Sequence, residues 1–231
     1  MPFGKRGMIM IKSLFIVGII GITSLSSSLA ADEERSFPVY KVDQDYISSL
    51  PRQYVALTFD DGPSEYTKVI ADILSERGVA GTFFFIGEKI EEHPEIVHYV
   101  KDQGHMVGSH SYEHNNLTEL TPQLLENDML EAVTGLEGLV GHQVELFRPP
   151  FGSADEEVVE VVKDQGLKMV MWNRDPKDWN RAEAQDILDY FYTVDSAGGI
   201  YILHENPDTV EALPQILDYL QSEDLQVVGL Q

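Results

Sequence analysis

The strongest constraint on this chain is a repeat in its hydrophobic pattern. From Tyr54 onward, short apolar runs alternate with stretches of helical apolar spacing, all the way to the C-terminus. Runs rich in β-branched and aromatic residues read as strands at 54–59, 82–86, 106–109, 144–147, 168–172, 200–203 and 225–228. Helical spacing predicts helices over 66–77 and 94–103, one opening near Thr121 with Pro122 in its first turn, and three more over 154–165, 182–192 and 209–221. Gly78, Gly104 and Gly166 read as helix stops. Strands separated by helices in this way predict an α/β fold of about seven parallel strands with crossover helices. An open doubly wound sheet and a (β/α) barrel both satisfy the pattern, which does not choose between them.

Ahead of the repeat, Lys5, Arg6 and Lys12 form a basic leader. Residues 14–25 then read LFIVGIIGITSL, and the segment ends at Ser28-Leu29-Ala30, an A-x-A-like cleavage triplet. Residues 1–30 are therefore expected to be a signal peptide. An uncleaved anchor is the alternative, because residues 9–11 extend the apolar run toward the about 20 residues of a membrane span. Export implies a secreted, cell-surface or periplasmic protein with no stable membrane insertion once the leader is gone. Residues 31–53 form a polar lead-in, and 54–231 a single domain expected to be a monomer. The chain has no cysteine, which excludes disulfide scaffolds, thiol nucleophiles and Cys-ligated metals. Its 39 acidic residues against 16 Lys and Arg give a net charge of −23, so no nucleic-acid partner is expected.

Position is the informative feature of the polar residues. Asp60-Asp61, His110 with His114, Arg148, Asp175 with Asp178-Trp179, and His204 all fall just after a predicted strand. In either candidate fold the carboxyl ends of parallel strands face one common site, so these residues converge. Two adjacent carboxylates repel one another unless a cation sits beside them, and a metal ligand next to a general base would explain Asp60-Asp61. His110 and His114 stand at i, i+4, a spacing that lets both imidazoles reach one metal. With one carboxylate they make a three-ligand set with open positions, of the kind used by zinc or another divalent transition metal such as Co²⁺. Arg148 opens Arg-Pro-Pro-Phe-Gly, a stiff loop in which Pro150 lacks an N–H and Phe151 offers one. His204 ends an otherwise apolar strand. A lone histidine there, or Trp179 in a turn, has an equally good structural explanation.

Taken together, TFDDG, HSYEH, RPPFG, DPKDW and ILH resemble, in order and spacing, the five motifs of the polysaccharide deacetylase family (carbohydrate esterase family 4, the NodB-homology domain). The resemblance spans about residue 54 to the C-terminus. It implies a distorted (β/α) barrel with its active site at the C-terminal ends of the strands, and it makes 54–231 a catalytic domain. It also implies roles: Asp60 as general base, Asp61, His110 and His114 as metal ligands, usually for zinc, and Arg148 as the residue that holds the base. Phe151 would supply an oxyanion N–H, and Asp178 would tune His204, the general acid. Trp179 and Ile202 would line the groove for the acetyl methyl. Phe151 stands where many members have Tyr, and Ile202 where Leu is usual. The implied activity is metal-dependent N-deacetylation of N-acetylglucosamine units in an extracellular glycan of peptidoglycan or chitin type, releasing acetate. O-deacetylation of acetylated xylan and an inactive carbohydrate-binding relative are the alternatives. A glycosidase would also use paired carboxylates, but it leaves the histidine pair unexplained.

Overall fold

The computed structural model describes residues 37–231, so the predicted signal peptide lies outside the described residues. The described residues open with two short strands, β1 (Val39–Tyr40) and β2 (Tyr46–Ile47). The repeat follows: β3 (Tyr54–Gly62), α1 (Thr67–Glu76), β4 (Thr82–Phe85), α2 (Gly87–Glu92), α3 (Pro94–Asp102) and β5 (Met106–Ser109). It continues with α4 (Pro122–Val140), β6 (Leu146–Phe147), α5 (Glu156–Asp164), β7 (Lys168–Val170) and α6 (Ala184–Thr193). The last elements are β8 (Ile200–His204), α7 (Pro207–Ser222), β9 (Gln226–Val227) and β10 (Gly229–Leu230).

All seven expected strands are present, and every pairing among them is parallel. The main sheet runs β2-β7-β6-β5-β4-β3-β8, with β9 added beside β3, and β1 pairs separately with β10. Between the end strands β2 and β8 the ladder stays open. Across that opening the chain just past β7 makes one parallel bridge, Arg174 to Tyr201, supported by Ile202 N–H donating to the Arg174 carbonyl at 3.0 Å. That break is the distortion in the barrel-like arrangement.

Two expectations need correction. Residues 31–53 were expected to lie outside the fold as a polar lead-in, but Tyr46–Ile47 pairs with β7, and Val42, Ile47 and Leu50 are buried. Each of these apolar residues stands alone among polar neighbours, and a two-residue strand shows no alternation to detect. Helix α2 was not expected either, since Ile90 is the one apolar residue in Gly87–Glu92.

Alternation along the strands decides which residues face the site. Val55, Leu57 and Phe59 of β3, Phe83 and Phe85 of β4, and Tyr201 and Leu203 of β8 pack in the large core with the helices. Their neighbours Ala56, Phe84 and Ile200 belong to a second cluster with Leu146, Val170, Val228 and Leu230. Side chains along a strand point alternately to opposite faces. Thr58 and Asp60 therefore share the face of Ala56, and Ile202 and His204 that of Ile200, which aims them at the interior of the strand ring.

Candidate active site

A β-bulge explains how two consecutive aspartates reach one place. Period-two alternation sends Asp60 inward and would send Asp61 out toward the helices. The β3–β4 register shifts between Asp60 and Gly62, and Asp61 takes φ +68°. The extra residue re-aims the side chain, and both carboxylates now approach His110. Asp60 Oδ2 lies 3.7 Å and Asp61 Oδ1 3.4 Å from His110 Nε2, and Asp61 Oδ1 lies 3.1 Å from His114 Nε2.

The donor set fits a metal ion. Asp61 Oδ1 is shut off from solvent and has no hydrogen-bond partner, although both Nε2 atoms stand beside it. One ligand atom from each residue falls within 4.8 Å of the others. Two donors held at about 2.0–2.1 Å from one ion at a tetrahedral angle are separated by ~3.3 Å, and the two imidazole contacts to Asp61 fall at that spacing. Burial opposes the Asp61 charge. The two imidazoles outweigh burial and hold the carboxyl well below the usual carboxylate range.

Neighbouring groups fix the ring orientations. His110 Nδ1 donates to the Arg148 carbonyl at 2.7 Å, which selects the tautomer that leaves Nε2 free to coordinate. The His110–His114 loop is held by residues that the sequence did not single out. Asp128 of α4 accepts from the Tyr112 and Glu113 N–H groups at 2.9 and 3.2 Å. At the start of α2, Gly87 and Glu88 donate their N–H groups to the Ser111 and Tyr112 carbonyls. In sequence Asp128 is indistinguishable from a solvated acid on a helix.

Arg148 is fully buried. Its Nη1 donates to Asp60 Oδ1 at 2.8 Å and to Thr58 Oγ1 at 2.6 Å, and its Nε donates to the Val170 carbonyl at 3.0 Å. Burial pushes the guanidinium pKa down and Asp60 opposes that shift. Across the site, His204 Nδ1 donates to Asp178 Oδ1 at 2.8 Å, leaving Nε2 for the cavity. Asp178 Oδ2 also accepts from the His204 N–H, the Thr209 hydroxyl and the Asn206 amide. Burial lowers the His204 pKa, but Asp178, helped by Asp60 and Asp61, raises it to about 9.

These groups open on one cavity of about 430 Å³, lined by Asp60, Asp61, His110, His114, Phe151, Trp179, Ile202 and His204. Arg148 and Asp178 are buried directly behind it, so every candidate residue from the sequence meets at this site. Pro149, Trp172 and Asp175 also line it and had been given no role. Ile202 is 6% exposed, whereas Phe151 at 69% and Trp179 at 58% stand at the rim. Backbone strain collects here: among the described residues Asp61, Ser111, His114, Phe151 and Lys177 all adopt positive φ, at roughly 1–2 kcal/mol each for a non-glycine residue.

A parallel α/β scaffold carrying an Asp-His-His cluster, a buried Asp–Arg pair and an Asp-oriented histidine in one cleft defines a hydrolase equipped to hold a metal. Comparison with known proteins narrows the class. The family model for polysaccharide deacetylase matches residues 48–170. A peptidoglycan-N-acetylglucosamine deacetylase of Bacillus cereus is 30% identical over 212 residues, covering 87% of this chain and 77% of that protein. Among solved structures, the Bc1960 peptidoglycan N-acetylglucosamine deacetylase superposes with a TM-score of 0.77 at 31% identity, covering 80% of this chain and 90% of that one. A structure from Bacillus anthracis described as a family 4 carbohydrate esterase pseudoenzyme gives 0.76 at 28% identity, covering 80% and 66%. The chain belongs to the polysaccharide deacetylase family and is a hydrolase of that type.

Proposed function

We propose that this protein is a zinc-dependent N-deacetylase of N-acetylglucosamine units in an extracellular glycan. The observation that carries the proposal is the convergence, in one cleft, of an Asp-His-His ligand set with a proton acceptor on one side and an aspartate-held imidazole on the other. A scaffold of this kind occurs with and without activity, so the reading rests on the residues rather than on the fold.

Asp61 Oδ1, His110 Nε2 and His114 Nε2 would hold the ion, with Co²⁺ an alternative to Zn²⁺. When bound, such an ion supplies Lewis acidity that makes water a competent nucleophile near neutral pH and polarises a carbonyl. Asp60 acts as general base: Arg148 occupies its Oδ1 and leaves Oδ2 on the side of His110 to take the proton of the attacking water. The Phe151 N–H stands at the loop beside the cavity and donates to the oxygen as it gains charge; one such donor is worth about 2.7–4 kcal/mol. His204, protonated at neutral pH, delivers its Nε2 proton to the departing sugar nitrogen, a step worth roughly 10²–10⁴-fold. The products are acetate and a free amino sugar. Ile202 and Trp179 offer apolar surface to the acetyl methyl. The basic and apolar leader in residues 1–30 supports export, which puts the enzyme where cell-wall or oligosaccharide substrates occur.

The test is acetate release from peptidoglycan, N-acetyl chito-oligosaccharide and acetylxylan, each with chelator and after zinc is restored. The expected result is release from the N-acetylated substrates, lost on chelation and recovered with Zn²⁺. Release from acetylxylan alone would assign an O-deacetylase, and no release from any of the three an inactive relative.

A further inference from the structure

One half-buried acid lies outside the machinery described so far. Glu205 follows His204 directly and turns its carboxylate back across the sheet onto the β3–α1 turn. Its Oε2 accepts from Ser64 Oγ at 2.6 Å and from the Thr67 hydroxyl. Each hydroxyl in turn accepts a backbone N–H: Ser64 Oγ from Tyr66 at 3.1 Å, and Thr67 Oγ1 from Ser64 at 2.7 Å. Both hydroxyls thus have one donor role and one acceptor role filled, which anchors the Glu205 carboxylate over the turn. Its Oε1 is closed off from solvent, meets no donor, and sits over Gly62. A Cβ on Gly62 would lie 2.1 Å from that oxygen, although Gly62 is not among the residues at positive φ. The glycine of the Asp60-Asp61-Gly62 turn is therefore demanded by the carboxylate above it, not by its own backbone angles. On the other side of the bulge, Lys89 of α2 donates its Nζ to the Asp61 carbonyl at 2.6 Å.

We infer that Glu205 is a positioning residue. By seating on Gly62 and gripping Ser64 and Thr67, it holds the Asp61 bulge in ligating geometry and ties that bulge, through one peptide bond, to the residue that donates the proton. Neither the substrate nor the three ligand side chains need touch it. The catalytic part of this inference rests on the deacetylase reading; the part concerning metal affinity does not.

The experiment compares Glu205→Ala, Glu205→Gln, Gly62→Ala and the double variant Gly62→Ala/Glu205→Ala with the wild type. Four quantities are measured: Zn²⁺ affinity of the stripped protein by competition with a chromophoric chelator, kcat and KM on N-acetyl chito-oligosaccharide at saturating Zn²⁺, and Tm. Glu205→Ala should weaken Zn²⁺ binding and lower kcat by about 10–100-fold, the usual cost of losing a group that orients a metal ligand, with KM unchanged. Glu205→Gln should behave as wild type, because its amide oxygen accepts both hydroxyls in place of Oε2. Gly62→Ala should reproduce Glu205→Ala by displacing the carboxylate, and the double variant should be no worse than Glu205→Ala. A folded Glu205→Ala with wild-type affinity and kcat would overturn the inference. So would a Glu205→Gln as impaired as the alanine, or losses that multiply in the double variant. If Glu205→Ala does not fold, Glu205→Gln and Gly62→Ala still decide, the first expected intact and the second impaired. A wild type that binds Zn²⁺ but releases no acetate would sink the deacetylase reading alone, and the order of Zn²⁺ affinities would still judge the clamp.

Discussion

Replacing Asp178 with asparagine tests the general-acid role of His204 at its source. Asp178 Oδ2 already serves the His204 N–H, the Thr209 hydroxyl and the Asn206 amide. In Asp178→Asn the single side-chain oxygen stays with those three donors, so the new NH₂ faces His204 Nδ1 and makes it an acceptor. The ring then carries its one proton on Nε2 and is neutral. Burial lowers the His204 pKa; in the native protein Asp178, with Asp60 and Asp61, overcomes it and lifts the value from 6.5 to about 9. At about pH 8 a group with pKa 9 is ~90% protonated and one at 6.5 is ~3% protonated, so the acid form falls about 30-fold. The assay is kcat/KM for acetate release between about pH 5.5 and 10, with Zn²⁺ affinity measured alongside. The wild type should lose activity as pH rises through about 9. In the variant this alkaline limb should move down to about 6.5 or below, with metal affinity unchanged, because Asp178 touches none of the three ligands. The same raised pKa stabilises the fold below pH 6.5 and ceases to as pH climbs through 9, a contribution of about 3 kcal/mol. The Tm gap between wild type and variant should accordingly narrow above pH 9. An alkaline limb that stays in place in the variant would refute the assignment and make another group the proton donor.

Two further outcomes follow from buried groups. Asp60→Asn should lower kcat by roughly 10²–10⁴-fold while leaving Zn²⁺ affinity intact, and it should lower Tm because Arg148 is left buried without its counter-charge, at roughly 3–5 kcal/mol; loss of metal together with activity would instead make Asp60 a ligand. His105 is buried, with Nε2 donating to the Ala71 carbonyl at 2.9 Å, and burial, against the pull of that carbonyl and Asp72, brings its pKa down to about 4. A depressed histidine stabilises the fold above the unfolded value of 6.5, and this is lost as pH falls toward 4, about 3 kcal/mol in all. Urea unfolding at about pH 7 and pH 4.5 should show a smaller acid loss in His105→Gln than in wild type, and equal losses would refute the account.

The parts of this structure that were legible in the sequence are those that bury apolar surface in a regular period. Strands β3, β4 and β8 announce themselves because seven or more of their residues pack against helices, and the polar residues at their ends stand out against that background. The opening in the strand ring was not legible, since an apolar run reports burial on both faces and is silent on whether edge strands meet. The five motifs placed every cleft residue that was given a role, but not Trp172, and the residues that hold the motifs in shape stayed hidden. Asp128, Lys89 and Glu205 sit among 55 charged side chains in the chain, and only the fold shows that these three turn inward. Gly62 illustrates the limit best. Its place before a proline suggests a turn, but its reason lies 143 residues away, in the carboxylate that rests on it.

Arg148 shows why the base and the ligand set behave as one object. Its side chain grips Asp60 and Thr58 on β3 and reaches the Val170 and Met171 carbonyls at the end of β7, while its own carbonyl orients His110 after β5. The guanidinium also lies over Phe84 of β4, its central carbon 4.3 Å from the ring centre. Taking this cation out of water costs several kcal/mol, which the carboxylate and the planar array of acceptors offset. Lysine at 148 would keep the charge but not the fork, and so could not serve Asp60 and the β7 carbonyls together. Because one residue sets both the proton acceptor and the tautomer of a ligand, a shift of β6 that loosens the first also turns the second. A displacement of this strand therefore weakens general-base catalysis and metal affinity together, whereas changes at Asp178, on the far side of the cleft, can alter proton donation alone.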